Sequence, residues 1–352
     1  MGKHLFISAP EALKRILAGA SVGGVDVRSE GEYARGAIPL FSNIPILNNS
    51  ERHEVGLCYK AKGQAEAVQL GHSLVDGHRD RLVRAWKEKL SLAAMPVVTC
   101  WRGGLRSETA CRWLEEAGVA SYRLSGGYKS LRNELLRVYE RLPDLLVLAG
   151  PTGSGKTKLL ESLQGPAINL EKIARHRGSA FGPLIGTSQP SQASFENILA
   201  LQLWRFPKLL VEDESLMIGK IHLPKSLREK MLGAPVVKIR RPVLERVENI
   251  FSEYVAEPLA AGVPPAELSA QYAHSLSGIR NKLGGGLTEE VRGKMGLAFV
   301  RNHGDLHREW IRDLLLHYYD KAYHYGFARN PRAIAFEGDW NECRNWIQSQ
   351  FA

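Results

Sequence analysis

The segment LLVLAGPTGSGKTKLL (residues 145–160) constrains the fold of this chain more than any other. Its first five apolar residues predict a buried strand, and the pattern G-x4-GKT follows at once, ahead of a helical pattern. Strand, glycine-rich loop and helix in this order form the context that a P-loop requires. A chain that contains this unit is expected to build an α/β sheet around the strand.

The loop residues have defined roles in binding phosphate. Backbone N–H groups from Thr152 to Thr157 would surround the phosphate, Lys156 would bridge its oxygens, and Thr157 could hold Mg²⁺. The predicted phosphate-binding residues are Gly150, Thr152, Gly153, Ser154, Gly155, Lys156 and Thr157. The loop alone does not choose between nucleotide hydrolysis, phosphoryl transfer and binding of another diphosphate.

An acidic element is expected at the end of a neighbouring strand, and PKLLVEDES supplies it as Glu212, Asp213 and Glu214. The pattern leaves open which of the three faces the P-loop, and a solvated acidic run is the alternative. If Mg²⁺ binds, Thr157 and Asp213 are the expected ligands.

Two further segments, HRGSAFG (176–182) and SQPSQASFEN (188–197), carry small and amide side chains. They offer His176, Ser179, Gln189 and Asn197 as candidate substrate contacts. Either segment could equally be an ordered structural loop.

A second loop, CWRGGLRS (100–107), follows the β-branched run MPVVT. A strand, a tight loop and then a helix direct backbone N–H groups and the positive end of the helix dipole at one point. Glycines allow the curl, and Arg102 and Arg106 add positive charge, so the Cys100 thiol is expected to ionise readily and act as a nucleophile. A buried, inert cysteine is the alternative.

The residues upstream of this loop make the N-terminal region resemble a rhodanese domain, a family that carries sulfur on the loop cysteine. The matching positions are Asp26, Arg28, Glu32, Gly36, Ile38, Pro39, Asn43, Pro45 and the turn LSGG at 124–127. Five residues separate Cys100 from Arg106, whereas many rhodaneses have four. The longer loop predicts a wider cradle, suited to a phosphate-borne anion.

The predicted fold is α/β in two domains. Residues 1–142 form a rhodanese-like parallel-sheet domain, and 143–352 form a P-loop NTPase-like α/β domain with helical additions towards the C-terminus. Strands are predicted at 145–148, 209–211, 236–239 and 333–336, and helices at 10–17, 64–90, 156–163, 242–255 and 305–319. Segments 260–270 and 278–290 are predicted to be mobile connections.

The net charge of +10 is compatible with a polyanionic partner such as nucleic acid, and a basic protein with a small anionic substrate is the alternative. Four cysteines in a chain of this length do not make a disulfide framework, and Cys58 and Cys111 are interpreted as packing residues.

The sequence lacks an apolar run of the ~20 residues that span a bilayer, and its first residues do not resemble a signal peptide. A cytoplasmic location with no membrane partner is expected.

Taken together, CWRGGLRS, LSGGYKSLR, GPTGSGKT, HRGSAFG and VEDES occur in the order that is typical of the bacterial tRNA 2-selenouridine synthase family. The chain resembles that family from about residue 6 to about residue 325. The resemblance implies a tRNA-modifying transferase with two steps at wobble 2-thiouridine: S-geranylation from geranyl diphosphate, then replacement of sulfur by selenium from selenophosphate. It implies no tightly bound cofactor, and it leaves open the need for Mg²⁺ and whether selenium is held covalently on Cys100.

Other interpretations of the same residues remain. A P-loop kinase of RNA or of a small molecule, with a regulatory rhodanese module, is the main alternative, and a non-catalytic tRNA-binding or sulfur-carrier protein is a third. The segment SGGYKS resembles the pyrophosphatase loop of tRNA-adenylating enzymes, but Lys129 occupies the place of its aspartate. The sequence does not indicate which tRNAs are chosen, how two sites share one nucleoside, or the oligomeric state.

Overall fold

The computed structural model describes residues 5–19, 22–163 and 165–351. They form two compact units. The first consists of the chain up to Arg141 together with Ser191–Arg205, and the second of Leu142–Pro190 and the chain from Phe206 onwards. The expected boundary near residue 143 coincides with the first division. Residues 191–205, expected in the P-loop domain, belong instead to the first unit.

The first unit is built on a parallel sheet in the order β1-β5-β4-β2-β3. Its strands are β1 (Leu5–Ile7), β2 (Val22–Asp26), β3 (Phe41–Asn43), β4 (Met95–Thr99) and β5 (Tyr122–Leu124), and its helices up to residue 141 are α1 (Ala9–Leu17), α2 (Glu30–Ala34), α3 (Asn49–Lys62), α4 (Gln64–Val75), α5 (Arg79–Leu90), α6 (Leu105–Glu116) and α7 (Gly127–Leu136). The helix predicted over 64–90 is divided into α4 and α5 by a 3₁₀ turn at Asp76–His78.

Strands β2, β4 and β5 lie side by side and parallel, so their carboxyl ends meet at one edge of the sheet. The segment with Asp26 and Arg28 follows β2, the cysteine loop follows β4, and the LSGG turn follows β5. Sheet topology therefore assembles the rhodanese-like motif from three distant segments.

The rest of the chain contributes α10 to the first unit and the other elements to the second. In chain order they are β6 (Asp144–Ala149), α8 (Lys156–Ser162), β7 (Ala167–Ile168), α9 (Leu170–Ala174), α10 (Gln192–Leu203), β8 (Lys208–Glu212), β9 (Met217–Ile218), β10 (Ile221–His222), α11 (Lys225–Gly233), β11 (Val236–Ile239), α12 (Val243–Phe251), α13 (Glu257–Ala260), α14 (Pro265–Gly278), α15 (Arg280–Leu283), α16 (Gly285–Arg301), α17 (Gly304–Leu314), α18 (Asp320–Arg329), β12 (Ile334–Gly338) and α19 (Trp340–Gln350).

The second unit contains a parallel sheet in the order β12-β11-β6-β8-β7. Each of the four strands predicted from sequence in this half overlaps one of β6, β8, β11 and β12. Strand β6 lies between β11 and β8, so the loop that follows it opens at the centre of the sheet's carboxyl edge, where ligands of such sheets bind.

A helical layer from α12 to α17 packs around an aromatic core that includes Tyr272, Phe299 and Trp310. The segments 260–270 and 278–290, expected to be mobile connections, are largely helical. Helix α14 begins with proline at its first position and buries Leu268, Tyr272 and Leu276, one face at four-residue spacing. The glycines and prolines of these segments thus mark helix ends.

Helix α10 docks onto the first unit through buried polar contacts. Arg132 of α7 donates to Asn197 Oδ1 at 2.7 Å and to Ala193 O at 3.0 Å, and the Asn197 amide donates to Ala37 O at 2.9 Å. The Ala37 N–H donates to Ser194 Oγ at 2.9 Å. Among the described residues, no helix is long and apolar enough to cross a membrane.

Candidate active sites

The cysteine loop is held by the LSGG turn. The Tyr128 N–H donates to Cys100 O at 2.8 Å, and Gly103, Gly126 and Gly127 all have positive φ. A Cβ added to Gly127 would lie 2.4 Å from Cys100 O, so no other residue fits there without moving the loop. The glycines of LSGG therefore shape the cysteine loop, as the rhodanese resemblance implies.

The Cys100 thiol lies beneath this loop and is buried, with 3% of the residue exposed. Its Sγ is 3.2 Å from Ser107 Oγ and 3.9 Å from Gly104 O. The expected surround of amide hydrogens is replaced by a hydroxyl and a carbonyl. The neighbouring Trp101 and Arg102 are exposed, whereas Cys100 packs in the apolar core of the first unit.

The two loop arginines differ in their partners. Arg106 binds Glu32 through both guanidinium nitrogens, at 2.5 and 3.2 Å. Burial raises the pKa of the Glu32 carboxyl, but the hydrogen bond and charge of Arg106 outweigh it and hold this pKa below its ordinary value. The positive charge of Arg106, which was expected from the sequence to promote ionisation of Cys100, is thus paired with the Glu32 carboxylate. Arg102 makes no ion pair with any described residue.

A buried arginine supports the loop from below. Arg28 is fully buried, pairs with Asp26 at 2.6 Å, donates to Gly36 O at 2.7 Å and lies 3.8 Å from the centre of the Tyr128 ring. Cys111 is also buried, and burial raises the pKa of its thiol to about 11, which suits a packing residue. Cys58 is only partly buried on α3.

The P-loop is fixed from outside by donors to its carbonyl groups. Arg246 Nε donates to Thr152 O at 2.9 Å, Asn249 Nδ2 to Gly153 O at 2.8 Å, and Trp340 Nε1 to Gly155 O at 3.1 Å. Sequence reasoning missed these donors because they lie 94 to 185 positions away.

The P-loop lines a cavity of about 510 Å³. Lys156 Nζ donates to Gly150 O at 3.1 Å, and the buried Ser154 hydroxyl has no partner among the described residues. All seven predicted phosphate-binding residues line this cavity.

Three glutamates form a buried acidic cluster beside the P-loop. One carboxylate oxygen from each of Glu171, Glu212 and Glu214 lies within 4.8 Å of the others. Thr157 Oγ1 donates to Glu171 Oε2 at 3.3 Å, and the Glu171 N–H donates to Glu212 Oε1 at 2.8 Å. The second oxygen of Glu212 has no hydrogen-bond partner in the described chain.

Burial is the main influence on the pKa of each carboxyl in this cluster. It raises the pKa of Glu171 and Glu212, and that of Glu214 to about 8, with mutual repulsion adding to the effect on Glu212 and Glu214. Without a counter-charge the three carboxyls resist ionisation, and one buried oxygen of Glu212 has no hydrogen-bond partner among the described residues. A divalent cation would bind these oxygens and stabilise the ionised carboxylates, so the cluster fits such an ion.

The structure corrects the choice of Asp213 as metal ligand. Both Asp213 oxygens accept hydrogen bonds from Arg332, at 2.9 and 2.5 Å, and Arg228 lies 3.6 Å away. Glu171, which sequence reasoning missed, takes its place beside Thr157. It follows the two-residue strand β7, too short to stand out in the sequence.

Of the four predicted substrate contacts, only Ser179 lines the P-loop cavity. His176 is buried, and its backbone forms an isolated antiparallel β-bridge with Pro183. The side-chain amide of Gln189 donates hydrogen bonds to Ala174 O and Ile218 O. Asn197 lies in the first unit. His176, Gln189 and Asn197 therefore lie outside the lining of the P-loop cavity.

An apolar and aromatic wall completes the P-loop cavity. Ile250, Tyr254, Tyr319 and Tyr323 line it, and Tyr254 Oη is 3.2 Å from Ser179 Oγ. Tyr254 and Tyr319 belong to the π-helical segments Ser252–Ala256 and Leu315–Tyr319. Such segments are frequent at functional sites, but neither is readable from the sequence.

The fold and these sites define a two-domain α/β protein in which a rhodanese-like cysteine loop precedes a P-loop. The family model described as the tRNA 2-selenouridine synthase AAA domain matches residues 143–352. The chain therefore belongs to the tRNA 2-selenouridine synthase family. Proteins that are similar to almost the whole length of this chain support the same assignment.

Two such relatives carry the name tRNA 2-selenouridine synthase. The protein from Shewanella denitrificans is 37% identical, covering 92% of this chain and 93% of its own. That from Alcanivorax borkumensis is 39% identical, covering 93% and 95%. A solved rhodanese-related protein from Thermoplasma volcanium is 21% identical, covering 37% of this chain and 93% of its own, with a TM-score of 0.24.

Proposed function

We propose that this chain replaces sulfur by selenium at C2 of wobble 2-thiouridine in tRNA, in two steps. The first is S-geranylation from geranyl diphosphate at the P-loop. The second is displacement of the geranylthiol by selenophosphate at the cysteine loop. The relatives' name supports the overall modification of tRNA, and the geometry of the two sites supports the two steps.

The observation that carries the first step is the composition of the P-loop cavity. Its lining includes the phosphate loop with Lys156, the apolar and aromatic residues Ile250, Tyr254 and Tyr319, and two carboxylates of the acidic cluster. A lining that combines a cationic, donor-rich loop with apolar groups suits the diphosphate ester of an apolar alcohol. Burial raises the pKa of both tyrosines, so the wall stays neutral.

In this first step the sulfur of 2-thiouridine attacks C1 of the geranyl group. The C1–O bond breaks, its electron pair leaves with diphosphate, and the nucleoside loses its N3 proton to solvent. Lys156 and the P-loop amides stabilise the charge that develops on diphosphate, an effect worth a factor of ~10²–10³ in rate per well-placed donor. Mg²⁺ held by Thr157, Glu171, Glu212 and Glu214 would supply further positive charge there.

In the second step the selenium of selenophosphate attacks C2. The C2–S bond breaks, and geranylthiolate leaves and takes up a proton, for which the Cys100 thiol of this loop is the assigned donor. Water then cleaves the Se–P bond, which releases phosphate and leaves the selenocarbonyl. Arg102, a cation of the cysteine loop with no ion pair among the described residues, is assigned to the phosphate group of selenophosphate. S-alkylation promotes this exchange, because an alkylthiolate leaves more readily than sulfide.

Nucleoside mass spectrometry on thiolated tRNA tests the proposal. Geranyl diphosphate alone should give S-geranyl-2-thiouridine, selenophosphate alone should leave 2-thiouridine unchanged, and both together should give 2-selenouridine. A protein that makes 2-selenouridine without geranyl diphosphate contradicts the two-step scheme. ATP turnover that depends on Lys156 and ignores Cys100 would favour the P-loop kinase instead.

A further inference from the structure

The first unit contains a second large cavity that the two proposed steps do not use. It is an open groove of about 670 Å³ between α3, α4 and the first turns of α6. Its wall is mainly apolar and includes Ile46, Leu47, Val55, Leu57, Val68 and Val75. We call it the α3–α4 groove.

One end of this groove lies at the cysteine loop. Leu105, Arg106 and Thr109 line it, and Ser107 of the same helical turn is 3.2 Å from Cys100 Sγ. Arg52, His53 and Lys60 contribute polar groups elsewhere along its lining. A molecule bound at the cysteine loop could therefore extend an apolar substituent into the groove.

The groove exposes apolar side chains that packing does not cover. Leu57 is 53% exposed, Tyr59 58% and Leu105 50%, and α3 has no buried residue. Each Å² of apolar surface left in water costs about 25 cal/mol, and contiguous apolar surface of this kind marks a ligand or partner site.

We propose that the α3–α4 groove binds the geranyl chain of the S-geranylated nucleoside during selenation. This inference rests on the proposed function and adds a subsite to it. The chain is apolar and uncharged, as the wall requires, and the groove volume lies in the range of small-molecule sites, about 300–1,000 Å³.

The groove has a direct role in the exchange. Binding the chain holds the C2–S bond at the cysteine loop while selenium forms its bond to C2, and the departing geranylthiol stays in an apolar environment. A substrate with a short S-alkyl group lacks this anchor. The groove thus selects the geranylated intermediate over other S-alkyl thiouridines.

Gly56 of α3 offers a way to fill the groove. It lines the cavity, and a Cβ added there meets no described atom within 4 Å. Because glycine is a poor helix residue, Gly56→Phe adds bulk without helical strain. Ala61→Phe is the matched control, since Ala61 lies on the same helix, is exposed and does not line the groove.

The experiment uses tRNA prepared with S-geranyl- or S-methyl-2-thiouridine, so that the P-loop step is bypassed. Gly56→Phe should raise KM for the S-geranyl substrate by at least about tenfold, a loss of ~1.4 kcal/mol, and leave the S-methyl substrate unchanged. Ala61→Phe should match the wild type with both. Equal effects of Gly56→Phe on both substrates, or no effect on either, overturn the inference.

Calorimetric binding of geranylthiol to the full chain separates the two proposals. Binding that Gly56→Phe weakens and Ala61→Phe does not supports the groove, even if the wild type fails to convert S-geranyl tRNA, which would overturn the proposed function alone. Wild-type conversion of S-geranyl tRNA without geranylthiol binding overturns the groove alone.

Discussion

At the scale of single residues, the two arginines of the cysteine loop differ in whether a carboxylate from another segment neutralises their charge. Arg106 is neutralised by Glu32 of α2, whereas Arg102 is exposed and makes no ion pair among the described residues. Arg106 therefore stiffens the base of the loop, and Arg102 remains available for an anion. The Cys100 thiol lies below both, in contact with Ser107.

The first prediction concerns this thiol. Cys100→Ser should lower selenation of S-geranyl tRNA by at least about a hundredfold, the lower end of what loss of a catalytic group costs. Geranylation should be unchanged, because it occurs at the P-loop. Cys58→Ser, on α3, is the control and should retain both activities. Full selenation by Cys100→Ser, measured by nucleoside mass spectrometry, would remove Cys100 from the mechanism.

The acidic cluster predicts a pH-dependent response to Mg²⁺. The pKa of Glu214 is raised from 4.5 to about 8 in the folded chain. Between these values the unfolded chain releases this proton and the folded chain keeps it, so Glu214 lowers the free energy of unfolding as pH rises through that window. Mg²⁺ should restore stability, and raise Tm more at about pH 8 than at about pH 5.5.

Thermal unfolding with and without millimolar Mg²⁺ measures this difference. Glu214→Gln removes one of the three titrating carboxyls of the cluster and should reduce both the pH dependence of Tm and its response to Mg²⁺. Glu229→Gln, which changes an exposed carboxyl of α11 that does not line the P-loop cavity, is the matched control. An equal gain in Tm at both pH values would argue against a metal site in the cluster.

At the scale of elements, helix α10 and the π-helical segments determine the sites more than their sequences suggest. Helix α10 contributes Asn197 to the first unit although the chain on both sides of it belongs to the second. The π-helical segments place Tyr254 and Tyr319 on the cavity wall.

Asn197 is predicted to act on stability. Asn197→Ala leaves Ala37 O without its Asn197 donor and removes an acceptor of Arg132, which should cost about 1–3 kcal/mol of unfolding free energy. KM for thiolated tRNA should not change. Asn281→Ala, at an exposed position, should cost less than about 0.5 kcal/mol in the same chemical denaturation. A raised KM for thiolated tRNA with an unchanged free energy of unfolding would contradict this prediction and indicate that Asn197 contacts the substrate.

At the scale of the whole molecule, the two sites belong to separate compact units of one chain. The Cys100 loop follows strand β4 in the sheet of the first unit, and the P-loop follows strand β6 in the sheet of the second. Each unit supplies its own anion site, so the two proposed steps should respond to different substitutions. The net charge of +10 suits a chain that holds one tRNA through both steps.

Lys156→Ala tests this separation. It should reduce S-geranylation from geranyl diphosphate by about 10²–10³-fold, because a charge facing the leaving diphosphate is lost. Selenation of tRNA that already carries S-geranyl-2-thiouridine should proceed normally. Lys172→Ala, whose side chain is 73% exposed, should leave both rates unaltered. Loss of both activities in Lys156→Ala would mean that the steps share one site.

The sequence by itself determined the two loops and the sheets that carry them. Both are local patterns, in which strand, glycines and helix follow one another, so short-range sterics fix their form. It also located four of the five strands of the second sheet, all but the two-residue β7.

Only the tertiary structure decided which side chains face these loops. Contacts between distant segments decided three features of the sites. They brought Glu171 rather than Asp213 next to Thr157, paired Glu32 with Arg106, and placed α10 in the first unit. Burial and charge pairing select such partners after the chain has folded, and no local pattern encodes them. The same holds for the α3–α4 groove, whose apolar wall is assembled from α3, α4 and α6 together.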